Sequence, residues 1–86
     1  MSDSPTVTSV SIRVKFFASL RERLGRGEAT LQVPAGSSVA EVWAQATDET
    51  AIPERLLVAV NMEYVDWRQP VNEGDEVAFF PPVTGG

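Results

Sequence analysis

Apolar and polar side chains alternate near the start of the chain. From Val10 to Phe16 every second residue is apolar, and the residues between them are polar. A period of two is typical of a strand with one face on a core, so the pattern predicts a strand over residues 10–17. Phe17 falls out of phase, on the polar face. A second alternating run, residues 29–33, stops at Pro34 and predicts a second strand.

The segment after the first strand leaves two structures open. Residues 18–27 are charged and contain glycine, so they form either a turn of helix over residues 19–24 or a wide hairpin connection. Further along, Ser38 and Glu41 have the spacing of a capping box. Apolar residues then recur at helical intervals, which predicts a helix over residues 39–47 with Trp43 between helix and sheet.

The second half of the chain predicts three more strands. Residues 56–60 are a continuous apolar run, residues 64–67 an edge strand, and residues 76–80 a closing strand that Pro81 ends. The right-handed crossover rule allows the closing strand to lie parallel to the first, with the helix on one face. The predicted fold is therefore α+β, a β-grasp (ubiquitin-like) mixed sheet of four to five strands packed on one main helix.

Strand parity places aromatic side chains on the outside of this sheet. If alternate residues of the closing strand face the helix, Phe80 faces solvent beside Phe17. An exposed apolar patch of this kind indicates a partner-binding surface. We expect Tyr64 or Trp67 to extend it and Arg21 to supply a charge at its rim. The alternative is that residues 18–27 cover Phe17 or Phe80.

The chain ends in an extended tail. Consecutive prolines favour polyproline II backbone, so six residues can reach roughly 20 Å from the sheet. Two final glycines carry no side chain that would obstruct entry of the terminal carboxylate into a narrow active site on another protein. The alternatives are a frayed terminus or residues left by cloning. The predicted functional tail consists of Pro81, Pro82, Val83, Thr84, Gly85 and Gly86.

The composition limits both the number of domains and the reactive groups that the chain can supply. Eighty-six residues suffice for one small domain. We divide the chain into a leader (1–8), the β-grasp domain (9–80) and the tail (81–86). With no cysteine and no histidine, the chain supplies no disulfide, thiolate metal site, cysteine nucleophile or histidine base. We expect no bound metal.

Charge and hydropathy predict which kind of partner the chain binds and where in the cell it is located. A net charge of −5 with no basic run argues against nucleic-acid binding and favours docking onto a basic protein surface. The sequence contains no apolar stretch of membrane-spanning length and no signal-peptide pattern, so we expect a cytoplasmic protein.

These exclusions leave the α-carboxylate of Gly86 as the candidate reactive group of this chain. It is ionised at neutral pH and is a poor electrophile. Adenylation by a partner that uses ATP would convert it to a mixed anhydride, and a sulfur donor could then attack to give a C-terminal thiocarboxylate. The chain would supply only the reacting C-terminal group, while other proteins supplied the general acids, the general bases and the metal. It would bind no cofactor itself.

Four short motifs match one known family. They are Val14-Lys15-Phe16-Phe17-Ala18, then Arg21-Glu22, Ala59-Val60-Asn61, and the ending GDEVAFFPPVTGG from Gly74 to Gly86. On these motifs the chain, from about residue 9 to residue 86, resembles the small subunit of molybdopterin synthase, the MoaD family. The leader lies outside the resemblance, and Tyr64 and Trp67 occupy a stretch that does not match.

The resemblance implies a sulfur carrier. Gly86 would be adenylated by a MoeB-like enzyme and thiocarboxylated with sulfur from a donor protein. The tail would insert into the large synthase subunit, MoaE, in a heterotetramer, and sulfur would pass to cyclic pyranopterin monophosphate to form the dithiolene of molybdopterin. The residues that match Phe17 and Phe80 lie at partner surfaces in that family. The alternatives are a carrier of the same fold for thiamine or another pathway, a ubiquitin-like modifier, and a plain binding module.

Overall fold

The elements of the predicted fold are present, with small shifts at their ends. The computed structural model describes residues 8–49, 52 and 55–81. Two predicted elements, the main helix and the closing strand, have the bounds that the sequence indicated. The elements, in chain order, are β1 (Ser9–Phe16), α1 (Ser19–Leu24), β2 (Glu28–Pro34), α2 (Val39–Thr47), β3 (Leu57–Val60), β4 (Glu63–Tyr64) and β5 (Glu76–Phe80).

The strands form one mixed sheet in the order β2-β1-β5-β3-β4. The central pair, β1 and β5, is parallel, whereas the other neighbours are antiparallel. A parallel pair of distant strands needs a crossover, and α2 lies in the connection between them. This arrangement confirms the predicted β-grasp.

Helix α2 fixes the core. The Ser38 hydroxyl accepts a hydrogen bond from the Glu41 N–H at 3.3 Å, and the Glu41 carboxylate accepts one from the Ser38 N–H at 2.8 Å. This capping box satisfies helix N–H groups that otherwise lack a partner. The helix then presents a fully buried Trp43 to the sheet, where its ring meets that of Phe79 edge-on with centroids 5.1 Å apart. The predicted capping box and the predicted position of Trp43 between helix and sheet are both confirmed.

Strand β1 ends one residue before the predicted end. Ala18 has φ 55° and ψ −130°, a backbone conformation that favours glycine. The carbonyl of Phe17 accepts a hydrogen bond from the Leu20 N–H at 3.1 Å, which closes the turn into α1. The segment is therefore a helix rather than a wide hairpin. The prediction that Phe17 belongs to the strand is wrong.

The predicted edge strand over residues 64–67 is also wrong at its far end. Strand β4 stops at Tyr64, and the chain then runs towards the start of α2, where the Trp67 carbonyl accepts from the Ala40 N–H at 3.1 Å. The Trp67 ring stacks on Phe79 with centroids 5.9 Å apart. Trp67 therefore packs against the core instead of extending the outer patch, because burial beside Phe79 stabilises it more than exposure.

Candidate functional site

The outer face of the sheet carries a stack of aromatic rings. In β5, Phe79 is buried towards α2, so Phe80 points to the other side and is half-buried. The N–H of Phe17 donates to the Phe79 carbonyl at 3.2 Å, which holds Phe17 beside β5 although it lies outside β1. The rings of Phe17 and Phe80 stack with centroids 5.4 Å apart and 15° between their planes. The structure therefore brings the two predicted residues together.

Tyr64 and Leu57 enlarge this stack towards the edge of the sheet. The Tyr64 ring lies 5.9 Å from that of Phe80 and is 72% exposed. Leu57 is the β3 partner of Phe80 and is also exposed. We call Phe17, Leu57, Tyr64 and Phe80 the aromatic patch. Sequence reasoning missed Leu57 because a continuous apolar run suggests burial, and only the register with Phe80 shows that its side chain faces outward.

Residues 18–27 do not cover the patch. Phe17 is 43% exposed, and the apolar residue that α1 directs inward is Leu20, which packs into the core. The alternative in which this segment shields Phe17 or Phe80 is wrong. An apolar surface of this kind, beside the start of the tail, suits contact with another protein.

Arg21 lies on α1. Its side chain crosses Gly27, where an added Cβ would come within 3.0 Å of the Arg21 Nε. Glycine at residue 27 therefore leaves room for this arginine. Within residues 8–49, 52 and 55–81, the structure shows no acidic partner for the Arg21 guanidinium. The predicted role of Arg21 as a rim charge stays a prediction.

The outer face of the sheet also carries a charged pair on the central strands β1 and β5. Lys15 on β1 and Glu76 on β5 are linked at 3.5 Å. Both side chains are about one-third exposed, with values of 32% and 31%, so the pair is solvated and contributes little to stability. The aromatic patch therefore ends where the Lys15–Glu76 pair begins.

Asn61 fixes the start of β5. Its amide nitrogen donates to the Asp75 carboxylate at 2.9 Å, and its amide oxygen accepts from the Glu76 N–H at 3.0 Å. The Asn61 N–H also donates to the Glu76 carbonyl at 2.8 Å. These bonds hold the register of β5 and thereby decide which of its rings face outward. The sequence suggested only that Asn61 starts a turn.

The tail begins at the patch. Pro81, which is half-buried, directly follows Phe80 at the end of β5. The other predicted tail residues lie outside the described residues; they are Pro82, Val83, Thr84, Gly85 and Gly86. The described part of the tail therefore places its origin against the aromatic patch.

The described residues also bear on metal binding and on membrane crossing. Among them no group of three or more His, Cys, Asp or Glu side chains could hold a metal ion. Neither α1 nor α2 is long and apolar enough to cross a membrane.

Comparison with known proteins decides the family. The family model described as the ThiS family matches residues 14–86, a span that begins within β1 and runs to the last residue of the chain. The chain belongs to the ThiS family. It is 41% identical over 80 residues to the molybdopterin synthase sulfur carrier subunit of Escherichia coli (strain K12), covering 87% of this chain and 99% of that relative. The resemblance seen in the sequence is thereby confirmed.

Solved structures agree with this assignment. A structure from Pyrococcus furiosus described as molybdopterin converting factor, subunit 1, superposes with a TM-score of 0.72 and is 30% identical, over 86% of this chain and 99% of that one. The crystal structure of SAMP1 from Haloferax volcanii superposes with a TM-score of 0.75 at 27% identity, over 88% and 99% of the two chains. SAMP1 is a small archaeal modifier protein.

Proposed function

We propose that this protein is the sulfur carrier subunit of a molybdopterin synthase and that Gly86 carries the sulfur as a thiocarboxylate. The observation that carries the proposal is the family match, which extends through the terminal Gly85-Gly86. The match to the sulfur carrier subunit of E. coli covers 87% of this chain and 99% of that relative. Strand β5 supports the proposal because it starts the tail beside an exposed aromatic patch.

The chemistry begins with activation of Gly86. Its carboxylate attacks the α-phosphate of ATP on a MoeB-like adenylating enzyme, which releases pyrophosphate and forms an acyl adenylate. A sulfide equivalent from a sulfur donor protein then displaces AMP and leaves the thiocarboxylate. ATP is bound by the activating enzyme, and this chain contributes only the reacting terminus. Because the step consumes ATP, we assign it to the cytoplasm.

The second stage is sulfur transfer. The charged carrier docks on a MoaE-like large subunit, in a heterotetramer, and its thiocarboxylate sulfur forms a C–S bond to cyclic pyranopterin monophosphate with displacement of an oxygen substituent, which leaves a thioester between carrier and pterin. Two carriers supply the two sulfurs of the molybdopterin dithiolene in this way. Attack of water on the remaining acyl group restores the carboxylate. The carrier has no cysteine or histidine, so the large subunit supplies the catalytic groups. The chain is thus part of a sulfurtransferase and not an enzyme by itself.

Each part of the carrier then has one task. The aromatic patch of Phe17, Leu57, Tyr64 and Phe80 docks the partner, with Arg21 at its rim. The tail from Pro81 onward spans roughly 20 Å to the partner's active site. The two glycines pass a channel too narrow for a Cβ atom.

Intact-protein mass spectrometry tests the proposal. We would incubate the purified chain with the adenylating enzyme, ATP and a sulfur source, and measure its mass before and after a thiol-alkylating reagent. Because the chain has no cysteine, a mass gain of one oxygen-to-sulfur exchange together with one alkyl group is expected at Gly86. A chain that lacks Gly86 is the matched control and should gain neither.

Other results would redirect the assignment. An unchanged mass under these conditions would contradict the carrier proposal. A thiocarboxylate that is consumed by a thiazole synthase, and not by a large synthase subunit, would point to the thiamine branch. Isopeptide bonds from Gly86 to lysines of other proteins would indicate a modifier.

A further inference from the structure

Met62 occupies the tip of the β3–β4 hairpin at a backbone conformation that suits glycine. Asn61 and Met62 both have positive φ, 51° and 73°, as in the two-residue hairpin turns that prefer Asn-Gly. Asn61 fits this preference. Met62 does not, and its side chain is 89% exposed.

The fold explains Asn61 but not Met62. The Asn61 side chain holds Asp75 and Glu76 through hydrogen bonds, so its presence stabilises the start of β5. Met62 keeps a strained φ and leaves an apolar side chain in water. Glycine would relieve the strain, because it adopts positive φ without a Cβ clash. A residue that is unfavourable in the free chain on both counts indicates a role outside it.

The aromatic patch is too small to be the whole interface of a stable subunit. Stable complexes bury roughly 800 Å² per partner, about a seventh of the 5523 Å² surface of this chain. Given their partial exposure, the four side chains of the patch supply roughly 350 Å². The tail, which enters the partner in the proposed function, supplies part of the remaining area, and exposed apolar side chains beside the patch can supply the rest. Met62 is two residues from Tyr64 on the same hairpin and is the next exposed apolar side chain along that edge.

We propose that Met62 enters an apolar recess on the large synthase subunit and extends the docking surface from Tyr64 to the hairpin tip. The proposal rests on the proposed function, since it takes the large subunit as the partner. An unbranched thioether side chain adapts to an irregular apolar recess better than a branched one. Binding free energy offsets the strain that the free chain carries at this residue.

Calorimetric titration of the purified large subunit tests this inference. The carriers compared are the unchanged chain, Met62→Gly, Met62→Leu and Phe80→Asp. We expect Met62→Gly to raise the midpoint of thermal unfolding of the free carrier by ~2–5 °C. The same substitution should weaken binding about tenfold, because the buried apolar side chain is lost. Met62→Leu keeps the apolar volume and should bind within about threefold of the unchanged chain.

The variants separate the failure of this inference from failure of the proposed function. Unchanged binding of Met62→Gly, with binding of Phe80→Asp lost, would overturn the role of Met62 and leave the carrier proposal intact. Equal losses for Met62→Gly and Met62→Leu would also overturn it, since leucine preserves the apolar contact. If Phe80→Asp binds normally as well, the docking surface itself is wrong.

Discussion

At the scale of single residues, Asn61 decides more than its place in a turn suggests. Its side chain bonds to the residue before β5 and to the first residue of β5, which are separated from it by the whole segment between the strands. It therefore sets where β5 begins along its neighbours, and through that register it sets which of Phe79 and Phe80 lies inside.

We predict that Asn61→Gly lowers the free energy of unfolding by about 1–2 kcal/mol, the loss of two side-chain hydrogen bonds. Glycine tolerates φ 51°, so the loss reports the hydrogen bonds rather than backbone strain. Urea denaturation would measure it. Arg68→Ala is the control, because the Arg68 side chain is 92% exposed and should change stability by less than about 0.5 kcal/mol. Equal effects of the two substitutions would contradict a special role for Asn61.

At the scale of elements, β5 divides its aromatic residues between two tasks. Phe79 is fully buried and contacts the rings of Phe16, Trp43 and Trp67 on the helix side. Phe80 contacts Phe17 and Tyr64 on the other side. In the proposed function, neighbouring residues of one strand thus serve stability and docking separately, because successive side chains point to opposite faces.

Substitutions at these two neighbours should separate the tasks. We predict that Phe79→Ala lowers the free energy of unfolding by about 3–5 kcal/mol, since it leaves a cavity in the core. Phe80→Asp should cost no more than ~2 kcal/mol but abolish binding to the large subunit. Circular dichroism with chemical denaturation gives the first quantity and a pull-down with the large subunit gives the second. Collapse of the fold in Phe80→Asp would show that Phe80 belongs to the core.

At the scale of the whole molecule, the fold and the reaction are separated along the chain. The sheet ends at Phe80, whereas the reacting group of the proposed function is the carboxylate of Gly86. In the proposed function the domain positions the tail and presents the aromatic patch, and the partners supply the catalytic groups. Residues that matter for chemistry should therefore matter little for stability.

We predict that deletion of Gly86, or Gly85→Val, reduces molybdopterin formation to background and leaves the midpoint of thermal unfolding nearly unchanged. The terminal residues lie beyond the last strand, and such termini seldom contribute to stability. An assay of molybdopterin synthesis with the large subunit, together with a thermal melt, measures both. A large fall in the melting midpoint would contradict the separation of tail from fold.

The sequence by itself determined much of this protein. Alternation gave β1 and β2, the Ser38–Glu41 spacing gave the start of α2, and Pro81 gave the end of β5. Each of these signals is local, since it depends on side-chain periodicity or on backbone groups a few residues apart. Parity also predicted that Phe17 and Phe80 share the outer face. The family resemblance lay in short motifs and in the Gly-Gly ending.

Tertiary structure decided the rest. It placed Trp67 in the core, turned Leu57 outward, ended β1 at Phe16 and gave Asn61 its partners at the start of β5. These features depend on which strand lies beside which and in what register, and a shift of one residue would move every side chain of a strand to the opposite face. Periodicity along the chain does not contain that information, because it comes from contacts between residues that are far apart in sequence.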